Sequence, residues 1–405
     1  MGSNAIQAAL IFFYVAYLVA TVQGVEVNVK TSGAKGDGDC DDTAAFKKAW
    51  DEVCKATEPS TLKVPEGKYM LGQIGFLGPC KSAVTFDAAE GAKFIAPTDL
   101  SQFKTKDGWI LFSMIKDFTL SGGTYNGQGS AAWKINKCKE NMNAPLCKNL
   151  PINMNLGTLT NSVVKGIKSV DSKFFHMNVI QCKNLTLNKI KIRAPADSAN
   201  TDGIHIGRSE GVTVDDAEIK TGDDCISFGD GAKKVTIENV KCGPGHGIAI
   251  GSLGRYPNEQ PVEDVCIKNC KLTNTMFGVR IKTWPASPEG VATGMHFEDL
   301  KMVNVSTPIL IDQQYCPWNQ CKAGVPSKVK ISDVSFKDIK GTSATKVAVK
   351  LLCSPGVPCE KVEMSGVNLE YHGTNGSAIS ECCNVKPTLS GKNVPPICDD
   401  VKASA

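Results

Sequence analysis

From residue 185 to residue 369 an eight-residue template recurs irregularly, with apolar side chains at its first, third, sixth and eighth positions. Its instances read LTLNKIKI from Leu185, VTVDDAEI from Val212, VTIENVKC from Val235, VCIKNCKL from Val265, MHFEDLKM from Met295, VKISDVSF from Val329 and VEMSGVNL from Val362. FTLSGGTY from Phe118 is a weaker relative. Apolar and polar positions alternate, skip two residues and alternate again, which describes two short strands separated by a bend. No such unit can bury its own apolar face. The first starts lie 27, 23 and 30 residues apart, a period suited to stacked coils whose inward side chains share one core. The pattern predicts an all-β, single-stranded parallel β-helix. Leucine-rich repeats share the period, but their fixed leucine and asparagine positions and their helical segment are missing. The hairpin turns of a β-sandwich would not recur with matching apolar registers.

Before residue 110 the periodicity changes. DDTAAFKKAWDEVCK, from Asp41 to Lys55, places Ala45, Ala49 and Val53 on one face at helical spacing, with Asp41 or Asp42 as a cap. This predicts an N-terminal helix capping the open end of the solenoid, where an exposed sheet edge would otherwise pair with other chains. Lys134 to Pro151, rich in lysine, asparagine and cysteine, reads as a loop. No linker divides residues 25–405, which are expected to form one β-helix domain. Residues 1–24 read as a signal peptide: Ala8 to Val22 is almost wholly apolar, no charge precedes Glu26, and Val22-Gln23-Gly24 offers small residues for cleavage. The run is short for a spanning helix, and no later segment is long enough. No membrane association is expected once the leader is removed.

Export changes the reading of the 17 cysteines, which become disulfide candidates, with an odd one left over. Three Asn-X-Ser/Thr sequons, at Asn184, Asn304 and Asn375, suit glycosylation in the same pathway. No CxxC pair is followed by another at zinc spacing, so a metal is not expected. The formal charge of +4 is spread along the chain. With no basic arm and no interleaving of aromatic and basic residues, nucleic acid is excluded as a partner.

The candidate chemistry sits in the segments just after the templates. Asn200-Thr201-Asp202-Gly203 comes after the one at Leu185, Gly222-Asp223-Asp224 after the next, and Gly245-His246-Gly247 after the third. Asp202, Asp224 and His246 are 22 residues apart each time, so they should stack at about the strand spacing of ~4.8 Å. In the next coil Arg280 and Lys282 alternate in GVRIKTW and share a face. Taken singly, an acidic residue beside glycine is a turn former, His246 between two glycines is a turn residue, and Arg280 with Lys282 is a solvated strand face. Together they fall at equivalent places in consecutive coils. Three crowded carboxylates should raise at least one pKa and keep a proton available in mild acid. Glycoside hydrolysis needs such an acid together with a carboxylate that activates water or attacks the sugar. Arg280 and Lys282 could hold the carboxylate of an acidic sugar. Calcium is the rival for clustered aspartates, opposed by the adjacent cations.

The segments NTDGIHI, TGDDCISFGDG, CGPGHGIAIGSLG and GVRIKTW resemble the four signatures of the polygalacturonases, glycoside hydrolase family twenty-eight. GAKGDGDCDDTAAFKKAW near the start and IDQQYC at 311–316 extend the likeness over nearly the whole mature chain, most of all to plant pollen exopolygalacturonases. The resemblance implies a right-handed parallel β-helix, no metal or other cofactor, and hydrolysis with inversion. It implies that Asp223 is the general acid, that Asp202 and Asp224 activate water, and that His246 tunes the acid. Arg280 and Lys282 would bind galacturonate, Tyr315 and Asn200 would line the site, and Cys225 would pair with Cys242. The expected partner is polygalacturonate, the expected location the extracellular cell wall, and the expected state a monomer. Endo-acting cleavage, a calcium-dependent pectate lyase and a non-catalytic wall-binding β-helix are the competing readings.

Overall fold

The computed structural model describes residues 24–105, 107–136, 150–319, 321–322, 324–374, 376–398 and 401–402. The expected leader, residues 1–24, lies outside them except for Gly24. Each regular coil contributes three strands, as in Lys183–Asn188, Lys191–Arg193 and Ile204–Gly207. Two of the three ladders belong to a 20-stranded sheet, and the third forms a 12-stranded sheet running from Ile74–Leu77 to Val401–Lys402. The pairing is parallel throughout, so the chain is the expected β-helix. From Glu210–Lys220 to Val329–Ser343 the first two ladders merge, the first of these strands pairing with both Lys183–Asn188 and Lys191–Arg193 and the last with both Glu360–Ser365 and Asn368–Tyr371.

The bend inside the template has a physical cause. Its fifth position is Lys189, Asp216, Asn239, Asn269 and Asp299 in successive coils, all with φ between 50° and 57°. Asn and Asp tolerate this left-handed region better than other side chains, which explains their prevalence there. A second left-handed residue precedes the template, as at Gly211, Lys234, Asp264 and Gly294. The instance read from Val329 is out of register. Met295 pairs with Val334, and Val334 with Val362, so the true unit is VSFKDIKG from Val334. Asp333, with φ of 54°, is the bend before the unit, and Asp338, with φ of 53°, is the bend within it. Because Val329 and Ile331 also alternate inward, either frame satisfies the hydrophobic pattern.

Inward positions stack into one core that includes Leu185, Val212, Val235, Val265 and Met295, each 1% exposed or less. Burying each such side chain contributes roughly 1.5–3 kcal/mol. Toward the N-terminus the core turns aromatic, with Phe76 stacked on Phe112 and Phe94 on Tyr125. The helix Thr43–Lys55 packs here through Phe46, Ala49, Trp50 and Val53. Ala45 is only partly buried. Asp42 does not cap the helix through its side chain, since that carboxylate accepts from the amides of Lys35 and Gly36. Asp41 accepts from the Thr43 amide instead. The Cys54–Cys80 disulfide and a hydrogen bond from Trp50 Nε1 to the Leu77 carbonyl pin the helix to the solenoid. The expected 134–151 loop begins with the end of a short helix, Ser130–Ile135, and 137–149 lie outside the described residues. Among the described residues, no helix is long and apolar enough to cross a membrane.

Candidate active site

The 12-stranded ladder carries the predicted constellation on its outer side. Ile204 pairs with Ile226, Ile226 with Ile248, and Ile248 with Val279. Asp202, Asp224 and His246 each sit two residues before one of the first three, so they form a column across consecutive coils. Close backbone packing makes the column possible. Gly245 has φ of 147°, and a Cβ there would fall 2.6 Å from the Asp223 carbonyl oxygen, so only glycine lets His246 approach.

The three aspartates have different surroundings. Asp224 is buried, and its oxygens accept from Arg280 Nη2 at 2.9 Å and Lys282 Nζ at 3.0 Å. Burial alone would raise its pKa, but Lys282, Arg280 and His246 outweigh it and hold the carboxyl below its ordinary value. Asp202, also buried, is pushed well above the ordinary value by burial and by the charges of Asp223 and Asp224. Its Oδ2 accepts from the Ser227 hydroxyl at 3.1 Å. Asp223 is less enclosed. Its Oδ1 faces His246 Nδ1 at 3.0 Å and accepts from the Asp224 amide at 2.8 Å. Among the described residues Oδ2 has no hydrogen-bond partner, which frees it to carry a proton to a ligand.

Arg280 and Lys282 reach Asp224 across an intervening coil. Arg280 pairs with Ala249, which pairs with Ser227, and the strand between also carries Gly251. Two strand spacings are about 9.6 Å, within the combined span of a long cationic side chain and the aspartate. A bulky residue at 249 would stand in the path. At Gly251, with φ of 95°, a Cβ would fall 2.3 Å from the Lys282 carbonyl oxygen. Ala249 thus leaves the cations room to pass, and Gly251 lets the Lys282 backbone lie close against its strand.

These groups line a cleft of about 530 Å³ together with Asn200, Tyr315 and Pro317. Arg280 lies over the Phe277 ring at 4.2 Å, and Lys282 lies 5.3 Å from the Tyr315 ring centroid. Burial pushes the Tyr315 phenol up to about 12, keeping it protonated. Sequence reasoning missed several lining residues: Phe174, Phe175, His205, Ser227, Arg255, Phe277 and Trp284. His205 and Ser227 lie inside the quoted NTDGIHI and TGDDCISFGDG segments, on outward positions paired to each other. Alternation along the strands could have found them. His205 Nδ1 contacts Ser227 Oγ at 2.8 Å, and burial holds the imidazole down at about 4. The imidazole is therefore neutral above about pH 4, and because the Ser227 hydroxyl gives its one proton to Asp202, the Nδ1–H tautomer is the one that completes the contact. Phe174 and Phe175 stack at 4.4 Å, next to Lys173, which is buried with Nζ on the Pro97 and Gly127 carbonyls.

Cys225 and Cys242 form a disulfide beside Asp224. Asn184 and Asn304 are exposed, with their amides donating to Asn161 and Asn274. Asn375 lies outside the described residues. Asp223, Asp224 and His246 could converge on a cation, one atom from each lying within 4.8 Å of the others. Both Asp224 oxygens are already engaged by cationic side chains, which opposes a third positive charge.

Residues 54–393 match the profile of glycosyl hydrolases family 28, and residues 26–74 match that of rhamnogalacturonase A/epimerase, pectate lyase-like proteins. The chain is 56% identical over 380 residues to an exopolygalacturonase of Arabidopsis thaliana, covering 93% of this chain and 84% of that protein. It is 52% identical over 366 residues to an exopolygalacturonase of Oenothera organensis, covering 90% and 100%. The solved structure of an exopolygalacturonase from Thermotoga maritima superposes with a TM-score of 0.74 at 20% identity over 90% of each chain, a likeness of fold. A profile match over most of the chain, close plant relatives and the shared fold agree: the chain belongs to glycosyl hydrolases family 28.

Proposed function

We propose that the chain is a secreted exopolygalacturonase, hydrolysing the α-1,4 bonds of de-esterified pectin from chain ends and releasing galacturonate without a cofactor. The observation that carries this is one cleft holding three carboxylates, of which Asp202 is pushed up and Asp224 held down, beside two cationic side chains. Asp223, tethered through Oδ1, presents Oδ2 as the general acid to the leaving oxygen. Asp202 and Asp224 together draw a proton from the attacking water. Asp224 stays ionised, whereas Asp202, once ionised, is the stronger base. His246 positions the acid. Arg280 and Lys282 keep donors beyond those spent on Asp224, available to a galacturonate carboxylate. Exo action is favoured by the names of the Arabidopsis and Oenothera relatives; endo-acting cleavage is the alternative at the same site. A calcium-dependent lyase fits less well, because Asp224 has no oxygen free of a cationic partner. The five disulfides among the described residues support action outside the cell, in the wall.

Asp223→Asn tests the assignment. Release of reducing ends from polygalacturonate should be lost while binding of the polymer persists; unchanged activity would remove Asp223 from its role. Proton NMR of the first anomer released tests inversion. That test matters because atoms of Asp223 and Asp224 lie within 4.8 Å, nearer to the short carboxylate separation of retaining enzymes.

A further inference from the structure

Beyond Arg280 and Lys282, on the wall of the same cleft, stands a second cationic group that the catalytic assignment does not use. Arg255 follows the strand Ile248–Leu253, and Trp284 follows Phe277–Thr283 in the next coil. Leu253 pairs with Thr283, and the Trp284 amide donates to the Leu253 carbonyl at 2.9 Å, which brings the two side chains together. The Arg255 guanidinium lies over the Trp284 ring at 5.0 Å and 5.4 Å from the Tyr256 ring centroid. Both residues line the cleft.

Three features give this pair the character of an anion receptor. Its charge is uncompensated: Arg208 pairs with Asp230 and Arg280 with Asp224, but among the described residues no carboxylate lies within ion-pair distance of Arg255. The nearby acid, Glu259, is spent on the backbone, accepting from the amides of Gly254, Arg255 and Tyr256 at 2.6, 3.0 and 2.9 Å. That clamp holds the arginine's loop in one conformation, so little ordering is left for a ligand to impose. Finally, Trp284 is only 6% exposed, so its ring is held in place as a fixed apolar backing for the guanidinium.

We infer that Arg255, backed by Trp284, forms a second carboxylate-binding subsite, which takes the uronate unit adjacent to the one held at Arg280 and Lys282. The inference rests on the polygalacturonate reading and specifies how a chain rather than a monomer is gripped. A planar guanidinium fits a carboxylate bidentately, and stacking on indole leaves its edge free for that purpose.

The test uses the full chain carrying Asp223→Asn, so that binding is measured by calorimetry without turnover. Adding Arg255→Gln should weaken binding of trigalacturonate tenfold or more, and Arg255→Lys should recover part of the loss. Binding of the fully methyl-esterified trimer should not respond to either change. In the otherwise wild-type enzyme, Arg255→Gln should raise KM for trigalacturonate by a similar factor with kcat within about threefold. Trigalacturonate affinity indifferent to Arg255, or equal losses for the acid and the ester, would overturn the subsite. Tight, Arg255-dependent binding by an enzyme that never hydrolyses polygalacturonate would instead overturn the proposed function alone.

Discussion

Ser227→Ala removes one atom from the chain that ends on Asp202. The serine hydroxyl donates to Asp202 Oδ2 at 3.1 Å and so favours the ionised carboxylate, against the effect of burial and of Asp223 and Asp224. Lys282 acts in the same sense as the serine. Arg255, Arg280, Tyr315, His205 and His246 are the remaining ionisable groups of this cleft, and His205, held down at about 4, is neutral over all but the acid end of the range assayed. A hydrogen bond to a charged group is worth ~1.5–3 kcal/mol, and one pKa unit corresponds to 1.36 kcal/mol. The loss should therefore raise the Asp202 pKa further, by about one unit once water takes over part of the contact. Asp202 must be ionised to accept a proton from water. The acid limb of the pH profile of kcat/KM should accordingly move up by about one pH unit, with a smaller change on the plateau. The assay is initial reducing-end release between pH 3 and 7, with a thermal melt to verify the fold. An acid limb that stays in place in a folded variant would refute the role given to Ser227 and the need for ionised Asp202.

Gly251→Ala should push the strand carrying Lys282 outward, lowering kcat/KM at least ~10-fold and stability by about 1–3 kcal/mol through the strained φ; kinetics and urea unfolding check both. Replacing Cys225 and Cys242 together by alanine opens a link of sequence separation 17 and should cost about 3 kcal/mol of unfolding free energy, with an unreduced peptide map of the parent chain showing the pair joined. Trp50→Ala, at the interface of the capping helix with Phe76 and Phe118, should cost ~3–5 kcal/mol and leave the pH profile unchanged, since the helix is remote from the cleft.

The architecture was legible because a solenoid repeats its packing problem in every coil, so the apolar template recurs. The 22-residue spacing likewise carried the column of Asp202, Asp224 and His246, since a fixed register turns sequence distance into position. The Val329 frame failed because two left-handed bends lie five residues apart in each coil, and alternation alone does not say which one is being read. The face of the capping helix shifted toward Phe46 and Trp50 because bulk, beyond simple spacing, decides which residues fill an open solenoid end. The pairing of Arg280 and Lys282 with Asp224 across a coil depended on the small side chains at 249 and 251, which as sequence look like ordinary strand filler. Arg255 and Trp284 escaped notice because what singles them out is a missing partner, and a missing partner is visible only in three dimensions.

The proposed reaction is hydrolysis of polygalacturonate from its ends in this cleft. Purified protein is incubated with de-esterified polygalacturonate and its products are separated by anion-exchange chromatography from the earliest times. Saturated monomeric galacturonate as the sole early product, with viscosity falling slowly, is the predicted result. A ladder of oligomers with a rapid fall in viscosity would contradict exo action, and unsaturated products absorbing in the ultraviolet would contradict hydrolysis itself.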